Sequence, residues 1–283
     1  MEKNIYTNEY AVCRVCFRAC RLKEGEKGFC RARIMKDGEV VSENYGRITS
    51  LALDPVEKKP LALFYPGSRI LSAGSYGCNF RCPYCQNHEI SDAGEGDVPY
   101  RYVSPEELVD TAAAMREYGN IGLAFTYNEP VISYEYVLDC EKLAHARGLK
   151  TVLVTNGSAG PAVWEALTDN TDAMNIDLKA FHKGFYDMVS GDFETVRRNI
   201  AYAAGRCHVE VTVLVIPREN DSIEEMRELS MWLASVDKDC ALHISRFYPQ
   251  HNMTDRPATD VALIYKLAEI ARENLKNVYT GNC

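Results

Sequence analysis

From about residue 69 the chain alternates short apolar runs rich in β-formers with stretches of helical periodicity, the signature of parallel βα units. Six runs read as strands: Arg69–Ala73, Ile121–Phe125, Thr151–Thr155, Ala173–Asp177, His208–Ile216 and Cys240–Ser245. The helical stretches between them carry their own end signals. Ser104-Pro105-Glu106-Glu107 supplies an N-cap, a proline at the first helical position and a capping-box glutamate, and Gly119 is the expected stop. A second helix runs from roughly Tyr134 to Arg147 before Gly148, and Pro161 opens a third. Phe193–Ala204 and Ser222–Ser235 follow, the latter with Ser222 and Glu225 as a capping box. A last helix, Asp260–Leu275, precedes a short apolar run at Asn277–Tyr279. Six units fall short of the eight of a closed barrel, and their order alone is equally compatible with a doubly wound sheet.

Residues 1–66 differ, with closely spaced cysteines, several glycines and no βα repeat. The expected division is an N-terminal four-cysteine metal-binding segment, 1–66, and a βα domain, 67–283. The boundary is the stretch Asp54-Pro55-Val56-Glu57-Lys58-Lys59-Pro60, whose two prolines are expected to lie outside regular elements. Composition is that of a soluble globular protein, 46% hydrophobic and 25% charged. No apolar run reaches the roughly 18 residues of a membrane span, and Met1-Glu-Lys-Asn-Ile-Tyr lacks the zones of a secretory leader, so a cytoplasmic location is expected. Eleven cysteines in that setting argue for metal ligation rather than a disulfide framework. A net charge of −8 argues against broad nucleic-acid binding. Locally, seven basic residues between Cys13 and Arg33 outnumber Glu24 and Glu26, a cluster suited to offsetting anionic thiolates or docking a partner.

Cys78, Cys82 and Cys85 stand in the run Gly-Cys-Asn-Phe-Arg-Cys-Pro-Tyr-Cys-Gln-Asn, a C-x3-C-x2-C spacing. Four thiolates close an iron–sulfur cubane, whereas three leave one iron open to a small molecule. Cys82 and Cys85 alone would equally suit a zinc knuckle or a redox-active pair. In parallel βα barrels the loops after the strands converge on one face, and unusual residues follow nearly every strand here. After the cysteine loop come Thr126-Tyr127-Asn128-Glu129-Pro130, Asn156-Gly157, Asp177-Leu178-Lys179, Ile216-Pro217-Arg218 and Ser245-Arg246-Phe247-Tyr248-Pro249. Arg246 suits two-pronged binding of a carboxylate. His88, three residues after Cys85, is placed to cover the cluster, and alternation points His243 inward. Cys13, Cys16, Cys20 and Cys30 give a second set, C-x2-C-x3-C-x9-C, with enough thiolates to complete a site. Zinc and an auxiliary [4Fe-4S] cluster both satisfy that count; the reading leans to a structural metal, because a small segment without its own core needs a staple. Cys140, Cys207 and Cys240 read as buried apolar residues.

The C-x3-C-x2-C run with Tyr84 before its last cysteine resembles the radical S-adenosylmethionine (radical SAM) signature. That resemblance implies a [4Fe-4S] cluster at Cys78, Cys82 and Cys85 whose open iron chelates S-adenosylmethionine and cleaves it to a 5′-deoxyadenosyl radical. Tyr127-Asn128-Glu129-Pro130 resembles the family's Gly-Gly-Glu motif for the cofactor's amino group, with Tyr127 and Asn128 replacing the glycines and Glu129 carried over. Thr155-Asn156-Gly157 and Asp177-Leu178-Lys179 resemble segments of the glycyl-radical-enzyme activases, among them the pyruvate formate-lyase activating enzyme. Lys179 would then pair with the cofactor's carboxylate while Asp177 orients its neighbours; an internal Asp177–Lys179 pair is the alternative. Tyr84, Gln86, Asn156 and Arg246 complete the implied cofactor-binding set, and no catalytic residue is assigned. Nearly the whole chain resembles the AmmeMemoRadiSam system radical SAM subgroup. The implied fold is α/β, a partial (β/α)6 TIM-like barrel with a small cysteine-rich N-terminal segment. The implied partners are an electron donor such as flavodoxin or ferredoxin and a protein or peptide substrate, with no nucleic acid and no membrane. Radical modification of a peptide or small molecule is a second enzymatic reading; a noncatalytic zinc or ferredoxin-like protein, with closed ligation at both cysteine sets, is the competing one.

Overall fold

A computed structural model describes residues 10–283. Its main sheet has eight strands: β1 (Ser50–Pro55), β2 (Arg69–Gly74), β3 (Asn120–Phe125), β4 (Lys150–Thr155), β5 (Ala173–Asp177), β6 (His208–Val215), β7 (Ala241–Arg246) and β8 (Val278–Gly281). The order across the sheet follows the chain from β1 to β8 without reversal. A doubly wound sheet would reverse at a switch point, so the sequential order decides for barrel-type winding. Strands β2 to β8 are parallel, and β1 runs antiparallel along β2. β1 and β8 are the two edges, so the barrel is open, as expected of a partial TIM-like fold. The short apolar run near the end of the chain is a seventh parallel strand beyond the six counted from sequence. Pro55 pairs opposite Arg69 as the last residue of β1, an edge position where a missing N–H costs no ladder bond. The proline stretch expected to be irregular therefore begins inside the sheet.

Six longer helices follow the strands, α1 (Pro105–Ala114), α2 (Tyr134–Ala146), α3 (Pro161–Asn170), α4 (Phe193–Ala204), α5 (Ile223–Val236) and α6 (Val261–Arg272), with two short ones, His88–Ser91 and Lys183–Met188, in the loops. Each longer helix buries one stripe at helical spacing, such as Ile264, Leu267, Ala268 and Ala271 in α6. Ser104 and Ser222 cap as expected, accepting from Glu107 N at 3.2 Å and Glu225 N at 3.1 Å. Glu225 is diverted from its box and accepts from Phe181 N at 2.7 Å. Gly119, in the left-handed region at φ 82°, ends a 3-10 turn that extends α1. Among the described residues no helix is long and apolar enough to cross a membrane.

The end of the barrel opposite the cysteine loop is closed by residues 60–64. Glu210, near the start of β6, accepts from Ala62 N and Leu63 N at 2.8 Å, from His208 at 2.8 Å and from His243 at 2.6 Å. Asn175 Nδ2 adds a bond to Pro60 O at 2.8 Å.

The N-terminal segment forms short hairpins, Ala11–Val12 with Arg21–Leu22 and Arg33–Lys36 with Glu39–Ser42. Its buried Cys13, Val15, Leu22, Met35 and Ile48 belong to the same apolar cluster as the barrel core. Cys16 bridges to Ala159, and Gly160 N donates to Val15 O at 2.8 Å, so the segment is laced onto the loop after β4. Three of the clustered basic residues are neutralised: Lys27 by Glu43, Arg31 by Asp97 and the buried Arg33 by Glu135.

Candidate cofactor site

The loops after the parallel strands surround a cavity of about 300 Å³ at the C-terminal end of the sheet, at the lower end of ligand-pocket sizes. Cys78, Cys82, Cys85, Tyr84, Gln86, Tyr127, Asn128, Glu129, Asn156, Asp177 and Lys179 all line it. Arg246 does not. Its Nε donates to Thr259 O at 2.6 Å and its Nη1 to Tyr248 Oη at 2.7 Å, which ties it to the loop after β7, and Ser245 faces the cavity instead. Sequence reasoning passed over Ser91, Thr212, Leu214 and Asn282, which also line the cavity. The signal for Thr212 and Leu214 was available, since they follow Glu210 at period two along β6.

Glu129 is held from three sides. Its Oε1 accepts from Val131 N at 3.0 Å and Thr155 Oγ1 at 2.6 Å, while among the described residues Oε2 accepts only from Asn156 N at 2.8 Å. A carboxylate oxygen accommodates about two donors, so Oε2 keeps an acceptor position for a cation in the cavity. Burial pushes Glu129 up to about 7 against the pull of those donors, and a cation at Oε2 would favour its charged form. Tyr127 sits at φ 72°, in the region glycine favours, with its side chain turned away toward Asp54 at 2.8 Å. Its carbonyl accepts from Asn87 of the cysteine loop at 2.8 Å. Asn128 and Asn156 also position that loop. Asn128 Oδ1 accepts from Ser75 N at 2.9 Å and Nδ2 donates to Gly77 O at 3.1 Å; Asn156 Nδ2 donates to Asn79 Oδ1 at 2.8 Å.

Lys179 Nζ donates to Asp177 Oδ2 at 2.7 Å, so the internal pair exists, and both residues face the cavity. Burial works against the Lys179 charge, but Asp177 and the sulfurs of Cys82 and Cys85 outweigh it and raise its pKa. His88 Nδ1 donates to Cys85 O at 3.2 Å, and the ring stacks on His251 with ring centroids 4.1 Å apart, outside the loop. His243 serves Glu210 at the closed end.

The three-cysteine loop fits an iron–sulfur cluster by its chemistry. Burial drives the Cys78 thiol well above its ordinary range and Cys82 up to about 12, so thiolates there need cationic partners such as iron, with Lys179 nearby. Among the described residues Tyr84 Oη, buried beside the Cys82 sulfur, has no hydrogen-bond partner, and anionic sulfur would supply the acceptor. The second set is also brought together: Cys20 Sγ and Cys30 Sγ each lie 3.7 Å from where a Cβ on Gly28 would stand. Among the described residues no three such ligands are drawn around a single ion. A wider hollow of about 710 Å³ lies at the N-terminal ends of β5 and β6. Neither cysteine motif reaches it, and its charges are paired internally, Asp172 with His145 at 2.9 Å and with Lys150 at 2.7 Å.

An open parallel barrel that delivers three cysteines, a buried glutamate and an Asp–Lys pair to one polar cavity is the architecture of a cofactor-dependent enzyme. The radical SAM superfamily profile matches residues 73–230, more than half of the chain, and the chain belongs to that superfamily. It is 37% identical over 273 residues to the uncharacterized protein MJ0808 of Methanocaldococcus jannaschii, covering 95% of this chain and 80% of that one. It is 24% identical over 204 residues to the pyruvate formate-lyase-activating enzyme of Clostridium pasteurianum, covering 69% and 80%. Among solved structures, a radical SAM methyltransferase from Sphaerobacter thermophilus aligns with TM-score 0.58 at 16% identity, covering 77% of this chain and 67% of that one. Streptococcus suis SuiB aligns with TM-score 0.59 at 13% identity over 74% of this chain, which spans 48% of SuiB. At those identities the structural likeness concerns the fold.

Proposed function

We propose that the protein is a radical SAM enzyme that reductively cleaves S-adenosylmethionine and uses the resulting radical to abstract hydrogen from a protein or peptide, as a glycyl-radical activase does. The single observation that carries this is the convergence of the Cys78–Cys85 loop and the free Oε2 face of Glu129 on one cavity. When bound, a [4Fe-4S] cluster on Cys78, Cys82 and Cys85 supplies the electron that splits the sulfonium into methionine and a 5′-deoxyadenosyl radical. Glu129 holds the cofactor's ammonium, and Lys179, buffered by Asp177, offers its charge to the carboxylate. Tyr127, Asn128 and Asn156 fix the cysteine loop, and Tyr84 donates toward the sulfurs from the buried side. The name of the Clostridium pasteurianum relative supports the activase reading, and the open barrel leaves a mouth through which a peptide can enter. A low-potential flavodoxin or ferredoxin in a reducing cytoplasm is the matching electron donor. Cys13, Cys16, Cys20 and Cys30 hold a second metal.

The test is anaerobic reconstitution followed by dithionite and S-adenosylmethionine. Formation of 5′-deoxyadenosine supports the proposal, and its loss in Cys82→Ala ties it to the loop. A fully loaded, reduced sample that forms none would overturn it.

A further inference from the structure

We infer that Cys13, Cys16, Cys20 and Cys30 hold a redox-active iron–sulfur cluster that delivers electrons to the Cys78–Cys85 site, and not a structural zinc. This inference rests on the radical SAM reading above. The case for a zinc staple was a segment without a core, but Cys13, Val15, Leu22 and Met35 are part of the barrel's own core. What sets this segment apart is where its cysteines lie. A Cβ on Gly77 would stand 2.5 Å from Cys30 O, so the chain on either side of Cys30 and Cys78 is in direct contact. The fully buried Asn79, next to Cys78, has its side chain beside the Cys16 sulfur. Two members of the four-cysteine motif, Cys16 and Cys30, thus touch the immediate neighbours of one ligand of the catalytic loop.

Arg18 occupies the seam. Its Nε donates to Asn79 O at 2.8 Å, it also donates to Ser190 O, and its guanidinium lies 3.5 Å above the Phe29 ring. Its guanidinium is within Coulomb reach of Cys16 and Cys20 of one set and of Cys78 of the other. Arg81 covers the same ring at 4.4 Å and donates to Cys78 O at 2.7 Å. Among the described residues no carboxylate pairs with Arg18, so the anionic sulfurs are the counter-charges available to it. A cation between two clusters favours the reduced, more negative state of each. The direction of transfer follows from the chemistry, since the catalytic site consumes the electron, and none of the four cysteines lines its cavity, so the second site stands behind the catalytic loop. An external one-electron reductant takes the N-terminal [4Fe-4S] cluster from 2+ to 1+; passing that electron to the catalytic cluster returns it to 2+, with no bond or proton transferred.

The decisive sample is the full chain carrying Cys78→Ser, Cys82→Ser and Cys85→Ser, reconstituted anaerobically. The expected result is iron and sulfide for one [4Fe-4S] cluster, no zinc, and a paramagnetic resonance signal on reduction by dithionite. Zinc without iron in that variant overturns the inference while leaving the catalytic reading intact. Conversely, failure of the unmodified protein to cleave S-adenosylmethionine would sink the catalytic reading without touching the variant's iron content. In the unmodified protein two clusters should appear with mutually broadened signals; two signals without interaction would count against a relay. Adding Arg18→Gln to the triple variant should move the N-terminal cluster's midpoint potential more negative, and an unmoved potential would remove Arg18 from the argument and the relay with it.

Discussion

Tyr127 holds a left-handed backbone, φ 72°, that costs a residue with a side chain about 1–2 kcal/mol. Its hydroxyl donates to Asp54 at 2.8 Å, and Lys59 Nζ lies 4.8 Å from its ring centre, so the side chain is locked where glycine would be free. Burial alone would raise Asp54, but Lys59, Tyr127 and Lys58 hold it down to about 2, a fixed anion for that lock. The ring is thereby held toward Asp54 and Lys59. Tyr127→Phe should lower stability by about 1 kcal/mol, the worth of one hydrogen bond, and leave S-adenosylmethionine affinity within error in equilibrium binding. Glu129→Gln should weaken that binding. Its amide keeps one acceptor oxygen, for Thr155 and Val131, but sets an NH2 against Asn156 N and loses the charge, so some stability goes as well, and a lost charge-assisted bond of about 1.5–3 kcal/mol weakens binding by roughly tenfold to a hundredfold. Unchanged affinity in that variant would mean that the ammonium is held elsewhere.

At the scale of elements, the closed end of the barrel depends on one carboxylate joining β6, β7 and the chain segment 60–64. Burial by itself would raise Glu210, but the bonds from His208, His243, Ala62 and Leu63 outweigh it and hold the group at about 2. A depressed carboxylate stabilises the fold fully above its ordinary value of 4.5, and that contribution disappears as pH falls through about 2. The shift bounds the contribution at about 3 kcal/mol. Glu210→Gln should therefore lower the melting temperature near neutrality and flatten the acid side of the stability profile; parallel wild-type and variant profiles from above pH 4.5 down to about 2 would refute it. The same strands show what sequence conveys. β2 to β7 were legible because each is a β-rich run followed by polar loop chemistry. β8, only four residues long, carries too little pattern to separate from a helix tail, and β1 was hidden because Pro55 reads as a breaker away from its edge. The cysteine loop, Glu129 and the Asp177–Lys179 pair were legible as motifs, whereas the place of Arg246 depends on Thr259 and Tyr248, partners that no local pattern announces.

For the molecule as a whole, the N-terminal segment and the barrel meet through backbones packed too closely for side chains. Gly160 stands against Arg14 O, and Gly77, at φ 86°, against Cys30 O. If the two cysteine sites form one unit, disturbing that seam should harm both together. Gly77→Ala tests this with an internal control. Gly38 has almost the same φ, 85°, but open space around it, so Gly38→Ala carries the backbone penalty of about 1–2 kcal/mol without a clash. Gly77→Ala adds a collision with Cys30 O and should cost clearly more stability, speed proteolysis within residues 10–45, and lower metal content at both cysteine sets after reconstitution. Gly38→Ala should leave metal content unchanged. Equal behaviour of the two variants would show that the seam yields easily, and the two sites would then have to be treated as independent.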